Sequence, residues 1–211
     1  MFTTAEDYAI IKKEVVNMKA LQVLPEGYKE IFSVNLQKNK KTAVLINTVA
    51  VVIGLVMGIS MHFHISIATL FDMEKGLGAY SLRFAALLIL NLIYIILHEL
   101  VHGITMKICG TKKVKYGFTG IYAFAGSSDY YDKRNYIIIA LAPVVLWGIV
   151  LGVINYFVPT DWFWVIYFIQ IANISGAAGD MYVTAKFSKM PKDILVTDNG
   201  VEMTVYSKES N

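Results

Sequence analysis

The sequence predicts an all-α membrane protein with four transmembrane helices, both termini cytoplasmic, and a small cytoplasmic β-hairpin element. Three observations predict it. Hydrophobic residues make up 56% of the 211 residues and charged residues 17%, with mean hydropathy at +0.53, whereas soluble domains run near 45–50% and about 25%. The apolar residues gather into four blocks, each near the ~20 residues a helix needs to cross a bilayer. The Lys and Arg are shared unequally among the segments joining those blocks. The same figures exclude a soluble enzyme, a disordered chain and a coiled coil.

Residues 1–41 form a polar, charged N-terminal segment with no cleavable signal peptide, so the first apolar block must direct insertion. Within it, Ile10, Ile11, Val15, Met18 and Leu21 recur at helical spacing and predict an amphipathic helix over Asp7–Leu21. Residues 42–186 form the membrane core, with spans at about 42–65, 82–106, 136–158 and 162–183. The third and fourth are joined at Val158-Pro159-Thr160-Asp161, short enough to require an antiparallel hairpin. In the tail, 187–211, Ile194-Leu195-Val196-Thr197 and Val201–Tyr206 flank Asp198-Asn199-Gly200, a β-hairpin pattern. A lone hairpin is marginal in water; Val114–Phe124, strand-like but broken by Gly117 and Gly120, offers it a partner.

Orientation follows from the basic residues. Lys12, Lys13, Lys19, Lys29, Lys38, Lys40 and Lys41 precede the first span. Lys107, Lys112, Lys113, Lys115, Lys133 and Arg134 lie between the second and third, and Lys186, Lys189, Lys192 and Lys208 follow the fourth. Only Lys75 and Arg83 fall on the other side, so the termini and middle loop are expected in the cytoplasm. An integral, multi-pass protein of a bacterial cell membrane suits this brevity and lack of targeting sequence.

His98-Glu99-Leu100-Val101-His102, near the cytoplasmic end of the second span, reads H-E-x-x-H. On a helix the two histidines share a face and can reach one ion. Glu99 then stands where a carboxylate takes a proton from zinc-activated water, as a general base. Zinc needs a third protein ligand. His62 and His64 fall at the opposite membrane face, and the lone Cys109 excludes a multi-cysteine site. Asp129 and Asp132 in the middle loop stay open as candidates. Asp180 fits best: it is the one acid in the apolar part of the fourth span, at a depth similar to that of His102, within a small-residue stretch that permits close helix approach. One Zn²⁺ with Asp180 and Glu99 ionised sums to zero charge.

These residues resemble the zinc site of the intramembrane site-2 proteases, and the chain is most similar there to the small bacterial putative zincin peptidase family. The likeness extends to Leu24-Pro25-Glu26-Gly27-Tyr28-Lys29-Glu30, Ala140-Leu141-Ala142-Pro143, Ser175-Gly176-Ala177-Ala178-Gly179-Asp180 and Asp198-Asn199-Gly200-Val201. Site-2 proteases usually flank the acid with Leu and Gly, where this chain has Gly179 and Met181. The resemblance implies an intramembrane zinc metalloendopeptidase with His98, His102 and Asp180 as ligands and Glu99 as base. Asn173 is then a candidate oxyanion donor, and the substrate a transmembrane or membrane-associated protein in the lipid bilayer, with no nucleic acid. Such a substrate must unwind to be cut, most simply by adding as a strand to an exposed edge. The stretch containing Gly117, Gly120 and Gly126 is the candidate edge or re-entrant loop, an ordinary loop being the alternative. Two other functions use the same polar residues: a zinc-binding, non-proteolytic membrane protein, and a small ion or proton transporter.

Overall fold

The computed structural model describes residues 20–35, 37–120 and 122–208. The expected amphipathic helix at Asp7–Leu21 lies outside these, save for Ala20 and Leu21. Apolar runs build the long helices. Helix α1, Lys40–His62, starts at Asn39, whose side chain accepts from the Thr42 N–H at 3.3 Å and satisfies an open donor of the first turn. A 3-10 turn at Ile67–Phe71 leads to α2, Gly76–Ile108, and α3 is Lys133–Phe157. Asp132 caps α3, accepting from the Asn135 N–H at 2.8 Å and the Asn135 side chain at 2.9 Å. That capping role accounts for one of the two loop acids left open as ligands.

Helices α1, α2 and α3 are long and apolar enough to cross a membrane. Their apolar surface is turned outward: Val44, Leu55, Leu88, Leu92, Ile149 and Val153 are all exposed. Water-soluble monomers rarely leave so much apolar surface bare, and the arrangement is compatible with a membrane protein. The block at 162–183 is not one continuous helix. It divides into α4, Thr160–Gly176, and α5, Ala178–Ser188, with Ala177 between them. Gly176 and Gly179 flank the break, where helix propensity is weakest.

The all-α expectation is wrong. About 61% of the structure is helix and 18% strand, and the strands form one antiparallel five-stranded sheet. They are β1 Tyr28–Asn35, β2 Lys115–Phe118, β3 Ala123–Asp132, β4 Leu195–Asp198 and β5 Glu202–Lys208, ordered β1-β5-β4-β3-β2. The tail hairpin β4–β5 is its centre, not a small appendage. A two-stranded ribbon leaves both edges unpaired, and here β1 covers one and β3 the other. The tail's strand partners are thus residues 28–35 and 127–132.

The sheet packs on one end of the helices. Met106 of α2, Tyr136 and Ile139 of α3 and Phe187 of α5 bury against Tyr131, Val196 and Val205. At the other end, Trp164 packs with Leu70 and Phe163, and its indole N–H reaches the Ser66 carbonyl at 3.0 Å. There too the buried Arg83 donates to the Asp72 carbonyl, and Lys75 pairs with Asp161 at 2.7 Å.

Candidate metal centre

His98, Glu99 and His102 lie on the sheet-proximal third of α2, and Asp180 in the first turn of α5. The break at Ala177 starts a new helix just before Asp180. The result is a cluster in which one donor atom each from His98, His102 and Asp180 lies within 4.8 Å of the others. His98 Nε2 and His102 Nε2 are 3.2 Å apart. The Asp180 carboxylate oxygens stand 3.6 Å from His98 Nε2 and 3.7 Å from His102 Nε2. A tetrahedral zinc with arms of 2.0–2.1 Å has ligand–ligand edges of about 3.4 Å. The closest approaches, from Oδ2 to His98 and from Oδ1 to His102, lie near that value, so the carboxylate straddles the two rings and the donor set suits the ion.

The far nitrogens of both rings are engaged, which leaves Nε2 for a metal. His102 Nδ1 meets the Ile139 carbonyl at 2.9 Å, and a carbonyl accepts only, so Nδ1 carries the proton. His98 Nδ1 lies 2.9 Å from the Tyr94 hydroxyl. That hydroxyl donates to Asn173 Oδ1 at 2.9 Å, and Asn173 Nδ2 donates to the Val144 carbonyl at 3.1 Å. Such partners behind metal-binding histidines fix ring orientation and tautomer. Asn173 is fully buried, so its amide stands behind His98 instead of facing an oxyanion. Tyr94 escapes a reading of the sequence for acids and histidines; its signal is a tyrosine four residues before His98, on the metal-facing stripe.

The cluster opens into a cavity of about 660 Å³ that also holds Glu99, Asn47, Asn91 and Glu202. The Glu99 carboxylate faces the backbone N–H of Ala125. Outside the helices, the Asp198 carboxyl borders the same cavity and is held above its ordinary range by burial, although the Tyr136 hydroxyl donating to it at 2.6 Å opposes that shift. His62 lies roughly 20 Å further along α1 than Asn47, its Nδ1 accepting from the Ile67 N–H at 3.1 Å. Cys109 is buried in the core beneath the sheet.

The three glycines noted in the middle loop are divided between packing and turning. The Gly117 α-carbon lies under the Phe124 ring, and Gly126 lies against the Asn199–Gly200 backbone, so neither position has room for a side chain. Gly120 turns the β2–β3 hairpin with φ +87°. Strand β2 pairs with Ala123–Gly126, whereas β4 pairs with β3 only from Ser127 onward. The second edge of residues 123–126 therefore carries no strand among the described residues, and Ala123, Phe124 and Ala125 line the cavity there.

Residues 91–195, about half of the chain, match a protein family described as "putative zincin peptidase". That match takes in the whole cluster and supports a zinc metallopeptidase. The chain is also similar to an uncharacterized 24.7 kDa protein in the gap 5′ region of Pyrococcus woesei, at 33% identity over 120 residues. The match covers 53% of this chain and 50% of that protein, so the chain aligns with about half the length of its curated relative. No solved structure matches.

Proposed function

We propose that the protein is an intramembrane zinc metalloprotease of the site-2-protease kind, cutting a transmembrane or membrane-associated protein. The observation that carries the reading is the meeting of three zinc-type donors with Glu99 in one cavity bordered by an unpaired strand edge. His98, His102 and Asp180 hold one zinc per chain. The bound zinc supplies an acidified water and a polarised carbonyl. Glu99, adjacent to one ligand and three residues from the other, takes the proton of the attacking water and returns it to the leaving amine. The substrate lies extended along Ala123–Ala125, its backbone pairing with the open edge at Ala123, beside the Ala125 N–H that faces Glu99. The helices within residues 42–186 form the membrane-embedded core of a multi-pass protein in a bacterial cell membrane, and both termini and the sheet, including β2 and β3 of the middle loop, are cytoplasmic.

The test is zinc content per chain in detergent-purified protein, together with cleavage of a transmembrane reporter. One zinc in the parent, its loss in Asp180→Ala, and abolished cleavage with zinc retained in Glu99→Gln are expected. Metal-free parent protein after re-equilibration with zinc refutes the metallopeptidase and favours an ion pathway. Bound zinc with no Glu99-dependent cleavage favours a non-proteolytic zinc protein.

A further inference from the structure

Helix α3 carries Pro143 in its interior, and the side chain is fully buried. Proline has no backbone N–H, and its ring presses against the carbonyl four residues earlier, so that carbonyl loses its helical donor. Four residues before Pro143 is Ile139. The Ile139 carbonyl is the group that His102 Nδ1 meets at 2.9 Å. Ile139 is 2% exposed, so water is a poor substitute partner, and buried carbonyls are almost always paired. The vacancy made by the proline and the hydrogen bond made by the histidine thus fall on one oxygen atom.

We propose that Pro143 is a positioning residue for the metal centre: it frees the Ile139 carbonyl to hold His102 with its proton on Nδ1 and its Nε2 lone pair toward the ion. The inference rests on the metal reading above. Any other residue at 143 would bring a helical N–H to the Ile139 oxygen, which has two lone pairs, so His102 would share an acceptor that it now holds alone. A shared carbonyl at a shifted angle holds the ring and its Nδ1 proton less firmly, and with them the lone pair of Nε2, the atom that faces His98 and Asp180. A helix-breaking residue inside a 25-residue helix is in this way part of the site's construction.

Helix stability and metal affinity should respond with opposite signs. Pro143→Ala restores a helical donor at a position where alanine is far better tolerated than proline, yet it loosens His102. The experiment titrates Zn²⁺, by competition with a chelating dye, into metal-stripped full-length protein in detergent. It compares the parent, Pro143→Ala and Pro143→Gly, each with and without His102→Ala, and follows Co²⁺ by its visible absorption. Both proline variants are expected to bind Zn²⁺ about 10–100-fold more weakly and to lose tetrahedral Co²⁺ bands. The metal-free thermal midpoint of Pro143→Ala should equal or exceed the parent's. In the His102→Ala background the proline substitutions should cost nothing further. Unchanged affinity, an equal loss without His102, or a loss matched by a falling metal-free midpoint would overturn the proposal. A parent that takes up no Zn²⁺ refutes the metallopeptidase reading itself, which is a separate outcome.

Discussion

Tyr94 of α2 holds its hydroxyl 2.9 Å from Oδ1 of Asn173 on α4. Because Asn173 donates its Nδ2 to Val144, its Oδ1 is the acceptor and the Tyr94 proton points to it. The lone pairs of the hydroxyl are then left for Nδ1–H of His98. This relay joins α2, α4 and α3 behind one histidine, as the Ile139 carbonyl does behind the other. The two rings present Nε2 to the same point for different reasons.

Tyr94→Phe tests that relay with little change in volume. Asn173 Oδ1 loses its donor while fully buried, which should cost about 1–3 kcal/mol of stability, and zinc affinity should fall about 10–100-fold. Denaturation of the metal-free protein gives the first figure and zinc competition the second. Parent-like zinc affinity would show that His98 needs no support from behind.

The tail turn should be sensitive at Gly200. Its φ is +89° and its α-carbon lies against the Phe124 ring. Gly200→Ala therefore adds both backbone strain and a clash, together about 2–3 kcal/mol. Faster hydrogen exchange across Leu195–Lys208 is the expected readout. Combining it with Phe124→Ala should recover the steric part, leaving the strain. Strictly additive losses would mean that the ring and the turn are not coupled.

Much of this layout was legible in the sequence, and the failures have physical causes. Hydropathy finds α1, α2 and α3 because their composition is nearly uniform over 23 to 33 residues. It reads straight through Ala177, since a break between two apolar helices changes direction and not polarity. The sheet was mostly hidden. In β1, Lys29 and Glu30 interrupt the apolar residues, and β3 carries Gly126, Ser127, Ser128 and Asp129, all poor strand formers. Only β4–β5 has the regular pattern, and it holds the others by pairing. For the site, spacing picks out His98, Glu99 and His102 and a lone acid in an apolar block picks out Asp180, four residues that the fold gathers around one cavity. The groups behind them include a carbonyl and a hydroxyl, which carry no charge pattern to read.

The unpaired side of β3 predicts a separation of binding from metal uptake. Ala125 turns its N–H toward Glu99, and in a strand the N–H of Ala123 points to the same side. Ala123→Pro removes that donor without taking a bond from the β2 ladder. Zinc content should stay at the parent level while cleavage of a transmembrane reporter falls about tenfold, the size expected for one lost backbone hydrogen bond to substrate. Undiminished cleavage would place the substrate elsewhere in the cavity.

Membrane orientation is tested by the two ends of the bundle. The sheet and metal cluster lie at one end, with Asp129 half-buried on β3. The pair Lys75–Asp161 lies at the other, where the Lys75 side chain is 66% exposed. If the basic middle loop and tail stay in the cytoplasm, a cysteine at 129 should be out of reach of an impermeant maleimide in intact cells and should react after permeabilisation. A cysteine at 75 should react in intact cells. Both belong in a Cys109→Ser background, since Cys109 is the chain's one cysteine. The pairing of opposite results distinguishes orientation from simple inaccessibility: reaction at 129 but not at 75 in intact cells would invert the topology and put the metal centre on the outer side.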